Sequence, residues 1–183
     1  MPKVIEDLRE NILKVSKRIL LNADYQSLTI RRVATECHVA VGTVYNYFES
    51  KDILVATIML DDWLKKLERA KEVSLQATTA VEGLLAVSQA ISDFTRLYER
   101  AWAQNGTPTQ TNEMLRSHHA VLLNQITDII IPVLERFDCL LTKGLPTFLA
   151  ESLLSISTHS SLSKDDLVPI LQSLLTPKEE LPQ

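Results

Sequence analysis

The amino-acid sequence predicts an all-α protein. Only 4 of the 183 residues are glycine and 5% are aromatic, a composition poor in the residues that form turns and strands. No stretch keeps an alternation of apolar and polar residues for long, whereas apolar residues recur every three or four positions along most of the chain. Because 45% of the residues are hydrophobic, the predicted helices have enough apolar surface to bury a core.

Two helices are predicted at the start of the chain. The first ends near Asn22 and carries its apolar residues at helical spacing: Leu8, Ile12, Val15, Ile19 and Leu20. After the short break ADYQSL, Thr29 is a suitable N-cap for a second helix from Ile30 to about Glu36. The apolar residues of that helix form one stripe, while Arg31 and Arg32 face elsewhere.

The segment VAVGTVYNYFESKDIL predicts a third helix that ends at Phe48. On a helical wheel, Val44 and Phe48 form the buried edge, and Gly42 and Asn46 lie on the opposite, outward side. The wheel places Val41 nearer the core edge. Three more hydrogen-bonding side chains flank the outward face, which is nearly uncharged: Thr43, Tyr45 and Tyr47.

Further helices are predicted in the middle of the chain. The fourth begins at Lys51, with Ser50 as its cap, and runs to about Val73. A long helical segment follows from about Val81 to Gln104. After the loop NGTPTQT, Asn112 is expected to cap the next helix.

Proline and glycine mark the ends of the last helices. Pro132 is expected to kink or break the helix that contains it, because proline removes a backbone donor. In TKGLP, Gly144 suits a C-terminal cap and Pro146 the first turn of the next helix. The last helix, in SKDDLVPILQSLL, begins with a capping box between Ser163 and Asp166.

The charge of the chain limits its partners. The formal net charge is −4, so the chain as a whole is not drawn to nucleic acid or to an anionic membrane at long range. Residues 1–52 carry eight Lys and Arg against seven Asp and Glu, a balance of +1 that leaves −5 for the rest. This asymmetry has the sign expected of a DNA-binding N-terminal part on an acidic remainder.

Two further features bear on the compartment. Cys37 and Cys139 lie among apolar neighbours and lack metal-ligand spacing, so both are expected to be small core residues rather than redox switches. The N-terminus MPKVIEDLREN has no apolar signal region, and no run approaches the roughly 18 apolar residues of a membrane span. We therefore expect a cytoplasmic, reduced protein without a membrane partner.

The outward face of the third helix suits close approach to another molecule. Gly42 lets a backbone come near, and Asn46 can form two hydrogen bonds to a base edge. Tyrosine hydroxyls can donate to phosphates, and Lys51 stands beside free backbone N–H groups. Two short helices of this kind describe a helix-turn-helix reader of the DNA major groove. The alternative is an ordinary helical hairpin whose tyrosines pack on their neighbours.

The segment LTIRRVATECHVAVGTVYNYFESKDIL resembles the N-terminal signature of the tetracycline-repressor (TetR) family of bacterial transcription regulators. The likeness extends from Ile12 to about Leu54. The positions that match the family pattern in register are Thr29, Val33, Ala34, Val39, Gly42, Thr43, Tyr45, Tyr47, Phe48, Lys51 and Leu54.

The resemblance implies roles for nine positions. The residues similar to the family's groove-facing, base-reading positions are Arg31, Val41, Gly42, Thr43 and Asn46. Those similar to its phosphate contacts are Thr29, Tyr45, Tyr47 and Lys51.

The chain departs from the family at three places. His38 replaces the turn glycine, although His tolerates positive φ better than most residues. Ala40 lacks a capping hydroxyl, at a cost of about 1 kcal/mol. Asp24 replaces a glycine after the first helix.

The resemblance also implies a division of the chain. We expect a helix-turn-helix head at residues 1–52, a helical regulatory and dimerisation body at 53–176, and a frayed tail at 177–183. The implied function is that of a homodimeric repressor, released from a palindromic double-stranded DNA operator by a small-molecule effector. Control by a protein partner, or activation instead of repression, is the alternative.

In the body, two apolar segments near 146–160 and 164–175 suit a symmetric four-helix interface between two subunits. On this hypothesis Leu153 and Leu171 belong to the interface; the alternative is a monomer's own core. A ligand pocket would use an aromatic stripe and the basic residues that follow it, although such a stripe is more often core: Phe94, Tyr98, Trp102, Arg116 and His118.

Sequence motifs of enzymes are missing. The chain has no Gly-rich phosphate loop, no G-x-S-x-G, no HExxH and no cysteine–histidine constellation. His118 and His119 are adjacent and lack the i, i+4 spacing of a helical metal pair. We therefore expect neither catalysis, nor a metal, nor a cofactor.

Overall fold

A computed structural model describes residues 5–103, 108–139, 142–159 and 162–175 of the chain. Within these ranges the secondary structure is helical and contains no strand, as predicted. None of the described helices is both long enough and apolar enough to cross a membrane. The helices are α1 (Ile5–Asn22), α2 (Ile30–Glu36), α3 (Val41–Tyr45), α4 (Lys51–Gln76), α5 (Ala80–Ala103), α6 (Pro108–Arg136), α7 (Leu145–His159) and α8 (Lys164–Leu175).

The chain forms two compact units. The first comprises residues 1–64 and 96–108, and the second comprises residues 65–95 and 109–183. The first unit therefore contains more than the predicted head, since it includes the first half of α4 and the last turns of α5. The predicted tail, residues 177–183, lies outside the described residues.

Three predicted helix starts are confirmed by their hydrogen bonds. The Thr29 hydroxyl accepts a hydrogen bond from the backbone N–H of Arg32 at 3.2 Å, and Ser50 Oγ accepts one from Ile53 at 3.1 Å. At α8, the Ser163 N–H donates to the Asp166 carboxylate at 2.8 Å, while the Asp166 N–H donates to Ser163 Oγ at 3.3 Å. Each hydroxyl satisfies an N–H that the first turn of a helix leaves unpaired.

The predicted start of α6 is wrong. The helix begins at Pro108, so Asn112 lies inside it and does not cap it. Proline is well suited to the first position of a helix, because the N–H that it lacks would have no intrahelical partner there. The helix also continues through Pro132 to Arg136. Pro132 and Asp128 are both exposed, so the carbonyl that loses its usual donor, that of Asp128, belongs to the solvent-facing side of the helix.

The C-terminal cap predicted at Gly144 is also wrong. The end of α6 is closed instead by Asp138, whose φ of 55° lies in the left-handed region. The next N–H, of Cys139, donates to the carbonyl of Leu134 at 2.8 Å, which satisfies one of the last carbonyls of the helix. Gly144 directly precedes α7, and Pro146 lies in its first turn as predicted.

The first unit has a core of aliphatic and aromatic side chains from α1 to α4. Tyr98, on α5, is also buried in it. Cys37 is a free, buried thiol, as predicted, and Cys139 is free and half-buried. The most deeply buried apolar side chains of the N-terminal helices and loops include Ile12, Leu20, Leu28, Val33, Val44, Phe48 and Leu54.

The second unit buries the apolar faces of α5 to α8. Its α5 and α7 are joined by a hydrogen bond from Thr95 Oγ1 to the Ser157 carbonyl at 3.2 Å. Leu153 and Leu171 are among its core residues, being 1% and 2% exposed. Their assignment to a subunit interface is therefore wrong, because they are already covered by their own chain. The described core residues of this unit include Leu84, Val87, Ile91, Ile126, Ile130, Leu134 and Leu149.

Candidate nucleic-acid interface

The turn between α2 and α3 depends on His38. Its φ is 57°, in the left-handed region, and its N–H donates to the carbonyl of Thr35 at 3.1 Å. The following N–H, of Val39, donates to Ala34 at 2.9 Å. These two bonds close the end of α2 and reverse the chain, so that α3 can pack against α2. The position of the family's turn glycine thus keeps the backbone conformation that glycine favours.

The short helix α3 has the two faces that the wheel predicts. Val44 is fully buried and Phe48 is 2% exposed, whereas Gly42 and Asn46 are both exposed on the other side. The Arg9 guanidinium lies over the Phe48 ring, 5.4 Å from its centre, on the inner side. The apolar edge therefore fixes the helix on the first unit and leaves the polar face outward.

The regular part of α3 is shorter than predicted, because it ends at Tyr45 rather than Phe48. Helical hydrogen bonds nevertheless continue, since the Asn46 N–H donates to Gly42 at 3.1 Å and the Phe48 N–H donates to Val44 at 3.0 Å. The Tyr47 N–H makes the tighter i to i−3 bond that is common in a last helical turn. The prediction and the structure differ only in where the helix ends, and the backbone at Asn46 is still helical.

The side chains around the outward face differ in exposure. Tyr45 is 49% exposed, while Thr43 and Tyr47 are half-buried at its edges. Val41 is 38% exposed, so it belongs to the outward face and not to the core edge. The wheel misplaced it because Val41 is the first residue of α3, where no earlier turn of the same helix covers its side chain.

Gly42 leaves open space in front of α3. A Cβ atom placed on it would meet nothing within 4 Å. The glycine is therefore not required by packing inside the protein. Its presence costs about 1 kcal/mol of helix stability relative to alanine. Open space at that cost is consistent with the close approach of an external molecule.

The start of α2 contributes a second part of the same surface. Thr29 is exposed and also caps the helix, so its hydroxyl is held beside the first-turn N–H groups. Arg31 is exposed, and its guanidinium makes no ion pair or hydrogen bond with any described residue. Its guanidinium is thus available to an acceptor outside the chain.

Lys51, predicted to contact a phosphate, has partners within its own chain. Its Nζ donates to the carbonyl of Tyr25 at 2.7 Å and lies 3.7 Å from the centre of the Tyr25 ring. The Tyr25 hydroxyl in turn donates to Asp52. Burial lowers the pKa of Lys51 and raises that of Tyr25, and the hydrogen bond to Asp52 raises the latter further. Sequence spacing gave no signal of this contact, because Tyr25 lies 26 residues away.

The head matches a known family model. Residues 12–58 fit the model described as bacterial regulatory proteins of the tetR family. The head of the chain therefore resembles the DNA-binding region of the TetR family. The match begins in α1 and ends in the first turns of α4, so it contains the whole of α2, the His38 turn and α3.

Curated relatives in the TetR family are similar over part of their length. The chain is 26% identical over 96 residues to the HTH-type transcriptional regulator UidR of Escherichia coli (strain K12), a match that covers 52% of this chain and 45% of that protein. It is 32% identical over 74 residues to the regulator HbdR of Aromatoleum sp. (strain CIB), covering 39% and 32%. The chain thus matches less than half the length of these relatives.

Solved structures of TetR-family proteins share the fold over most of the chain. A CifR cysteine mutant complexed with 26-bp double-strand operator DNA is 17% identical, with a TM-score of 0.55, over 96% of this chain and 97% of that one. The repressor AlkX from Dietzia sp. is 16% identical, with a TM-score of 0.58, over 91% of both. FadR from Bacillus subtilis, in complex with stearoyl-CoA, is 20% identical, with a TM-score of 0.53, over 91% and 95%.

Of the residues predicted to bind a ligand, Phe94 and Tyr98 lie one turn apart on α5. Phe94 belongs to the second unit and is half-buried, whereas Tyr98 belongs to the first unit and is buried. The Tyr98 hydroxyl donates to Asp62 at 2.5 Å, and Asp62 also pairs with Lys17. Burial and this hydrogen bond raise the pKa of Tyr98. The side chains of Trp102, Arg116 and His118 lie outside the described residues.

Metal ligands are not clustered in the described residues. No group of three or more His, Cys, Asp or Glu side chains is close enough there to hold a metal ion.

Proposed function

We propose that this protein is a DNA-binding transcriptional regulator of the TetR family in the cytoplasm, neither an enzyme nor dependent on a cofactor. The observation that carries the proposal is the outward face of α3, where Gly42 and Asn46 are exposed opposite the buried Val44 and Phe48. A short helix with an open, uncharged, hydrogen-bonding face fits the major groove, where bases are read by bidentate side-chain contacts.

The base-reading set comprises one arginine and four residues of α3 or its end. Arg31 can donate two parallel hydrogen bonds to guanine, and Asn46 can do the same with adenine. Gly42 admits the base edges to the helix backbone. The side-chain methyl groups of Val41 and Thr43 suit contact with the methyl group of thymine. The set is Arg31, Val41, Gly42, Thr43 and Asn46.

The phosphate-contacting set surrounds that face. Thr29, Tyr45 and Tyr47 supply neutral hydroxyl groups, which position a protein on the backbone without reading sequence. Lys51 remains in this set, with a second task supported by its geometry. Through the Tyr25 carbonyl and ring it ties the α1–α2 loop to the start of α4.

The protein is proposed to act as a homodimer on a palindromic operator, since two heads at fixed spacing read two half-sites. The interface uses apolar residues that the single chain leaves exposed on α7 and α8, namely Phe148, Ile170 and Leu174. Ile170 is 45% exposed, whereas its neighbour Leu171 is 2% exposed. On this proposal Ile170 belongs to the subunit interface and Leu171 to the core of its own chain.

Sedimentation of two single variants tests the dimer. Ile170→Asp should give folded monomers with an unchanged helical signal, because only the contact between subunits is lost. Leu171→Asp should lower the melting temperature, since it places a charge in the core of the chain. A dimer of wild-type strength in Ile170→Asp would contradict this interface.

Regulation by a small-molecule effector that releases a repressor from its operator is the proposed mode of control. Support comes from the family and from FadR, whose structure contains stearoyl-CoA. A protein partner, or activation, is the second candidate. It would be favoured if purified protein bound its operator equally in the presence and absence of small-molecule extracts and no ligand copurified.

Selection of bound fragments from random duplex DNA tests the function itself. The expected result is one palindromic sequence that is recovered repeatedly by the wild-type protein. Asn46→Ala serves as the matched control, because it removes a base contact while leaving the buried face of α3 intact. Recovery of unrelated sequences by the wild-type protein would contradict the proposal.

A further inference from the structure

Glu36, the last residue of α2, holds two arginines of the head at once. Its Oε2 accepts a hydrogen bond from Nη2 of Arg18 at 2.7 Å, and its Oε1 accepts one from Nε of Arg32 at 3.0 Å. Arg18 lies on α1 and Arg32 lies one turn earlier on α2. The two arginine side chains are exposed, so both guanidinium groups face solvent while they share one carboxylate.

Helix stability does not explain this carboxylate. A negative charge in the last turn of a helix opposes the helix dipole. Exposed ion pairs contribute little to stability, so the two arginines do no more than offset that cost. Their hydrogen bonds, that of Arg18 first and then that of Arg32, lower the pKa of Glu36. The carboxylate is therefore ionised, and the cluster intact, at neutral pH.

Most other cations of the head are also committed. Lys51 donates to a backbone carbonyl, Lys17 is paired with a carboxylate and Arg9 stacks on an aromatic ring. Among the described basic side chains of the head, Lys14 and Arg31 are the two that make no such contact. Substitution of Glu36 would therefore free two guanidinium groups, those of Arg18 and Arg32, whereas each of the other contacts involves one cation.

We propose that Glu36 weakens the binding of the head to DNA of any sequence, by holding Arg18 and Arg32 away from phosphates. Selectivity then depends on the base contacts of α3, because affinity that is independent of sequence comes from phosphates neutralised by cations. A guanidinium that bonds a phosphate must first leave the carboxylate, and the carboxylate itself repels the DNA backbone. This inference rests on the proposed function.

The test is Glu36→Gln, which keeps the size and one acceptor oxygen but removes the charge. Binding to the selected operator and to random duplex DNA is titrated at several salt concentrations. We expect random DNA to bind several-fold more tightly and operator to gain less, so that the ratio of the two affinities falls. The slope of log K against log salt should steepen by about 0.9 for each guanidinium that reaches a phosphate.

Glu99→Gln is the matched control. Glu99 is exposed on α5 in the same unit, and its substitution changes the formal charge equally without releasing an arginine. It should leave the salt slope at the wild-type value. Adding Arg18→Gln or Arg32→Gln to Glu36→Gln should then remove the part of the steeper slope that the deleted guanidinium supplies.

Three results would overturn the inference. The first is an unchanged salt slope in Glu36→Gln, and the second is an equal change of salt slope in Glu36→Gln and Glu99→Gln. The third is weaker DNA binding by Glu36→Gln together with a lower melting temperature, which would make the cluster purely structural. Failure of the proposed function is separate, because it would already be visible as wild-type protein that binds operator and random DNA alike.

Discussion

Two glycines in different regions of the molecule have opposite surroundings. Gly42 on α3 faces open space, with nothing within 4 Å of an added Cβ. Gly83 on α5 is buried against α6, where an added Cβ would lie 2.7 Å from Cγ1 of Val133. The first glycine leaves room for an external molecule, whereas the second allows close internal packing. The same residue type thus marks a candidate binding surface in one unit and a close helix contact in the other.

The largest expected effect is at Gly42. In Gly42→Leu the side chain should occupy the space in which a base edge would lie, and operator affinity should fall by about 3 kcal/mol or more, roughly 100-fold, as several contacts are lost together. The fold should become slightly more stable, because leucine favours a helix by nearly 1 kcal/mol over glycine. Operator titration and thermal melting measure the two effects.

Gly42→Ala is the graded control, with a smaller loss of affinity and a similar gain in stability. If Gly42→Leu bound operator at wild-type strength, the open space in front of α3 would have no role in recognition, and the contrast with Gly83 would disappear.

At Gly83 we expect the reverse. Gly83→Ala should destabilise the protein by about 1–3 kcal/mol, since Val133 is branched at Cβ and has little freedom to move away from the new methyl group. The helix preference of alanine offsets part of this cost. Chemical denaturation measures the change.

A second substitution shows whether the contact is the cause. Val133→Ala opens a small cavity by itself, but in combination with Gly83→Ala the two changes should be less harmful than their sum. Additive effects would mean that the close approach of α5 and α6 at this point does not limit stability.

Asn46 sharpens the comparison within the binding surface. Asn46→Ala should cost about 1–3 kcal/mol on the operator, relax the preference at one position of each half-site and barely affect random DNA. Tyr47→Phe should weaken all sequences alike without changing the salt slope, because it removes a neutral hydroxyl group. Titration of both DNAs at several salt concentrations separates these roles. Equal weakening of both DNAs by Asn46→Ala would place the base contact elsewhere.

The smallest effect is expected where glycine would suit the backbone but is not present. His38 has a φ of 57°, and His38→Gly should raise the free energy of unfolding by about 1 kcal/mol by relieving the left-handed strain. Asp138→Gly, at a φ of 55° in the second unit, is the matched position. Thermal melting of the two variants measures the gains. A loss of stability at both sites would show that their side chains contribute more than the strain costs.

Local chemistry made much of the head predictable. The bounds of α2, the cap at Thr29 and the two faces of α3 all follow from residues within one or two turns of each other. Capping, turn geometry and helical periodicity act over such distances, so one sequence contains enough information to place them. The end of α3 and the exposure of Val41 were predicted less accurately, because helix ends depend on contacts that helical periodicity does not describe.

In the body, the same periodicity identified apolar faces but not what covers them. Leu153 and Leu171 have the spacing of an interface, yet they pack inside their own chain, while Ile170 beside them stays exposed. The passage of α6 through Pro132 likewise depends on that face of the helix being exposed, which only the packed structure shows. A hydrophobic stripe shows that one face of a helix is buried, but it does not show whether the same chain or a second subunit covers that face.

The sequence by itself determined the helical class, the helix-turn-helix and the open face on which the proposed DNA contacts depend. Tertiary structure alone decided the long-range partners: Lys51 on Tyr25, Tyr98 on Asp62, and Arg18 on Glu36. The physical reason is that helix formation is governed by neighbours three and four residues apart, whereas a charged or polar side chain pairs with whichever group the packed helices bring near it.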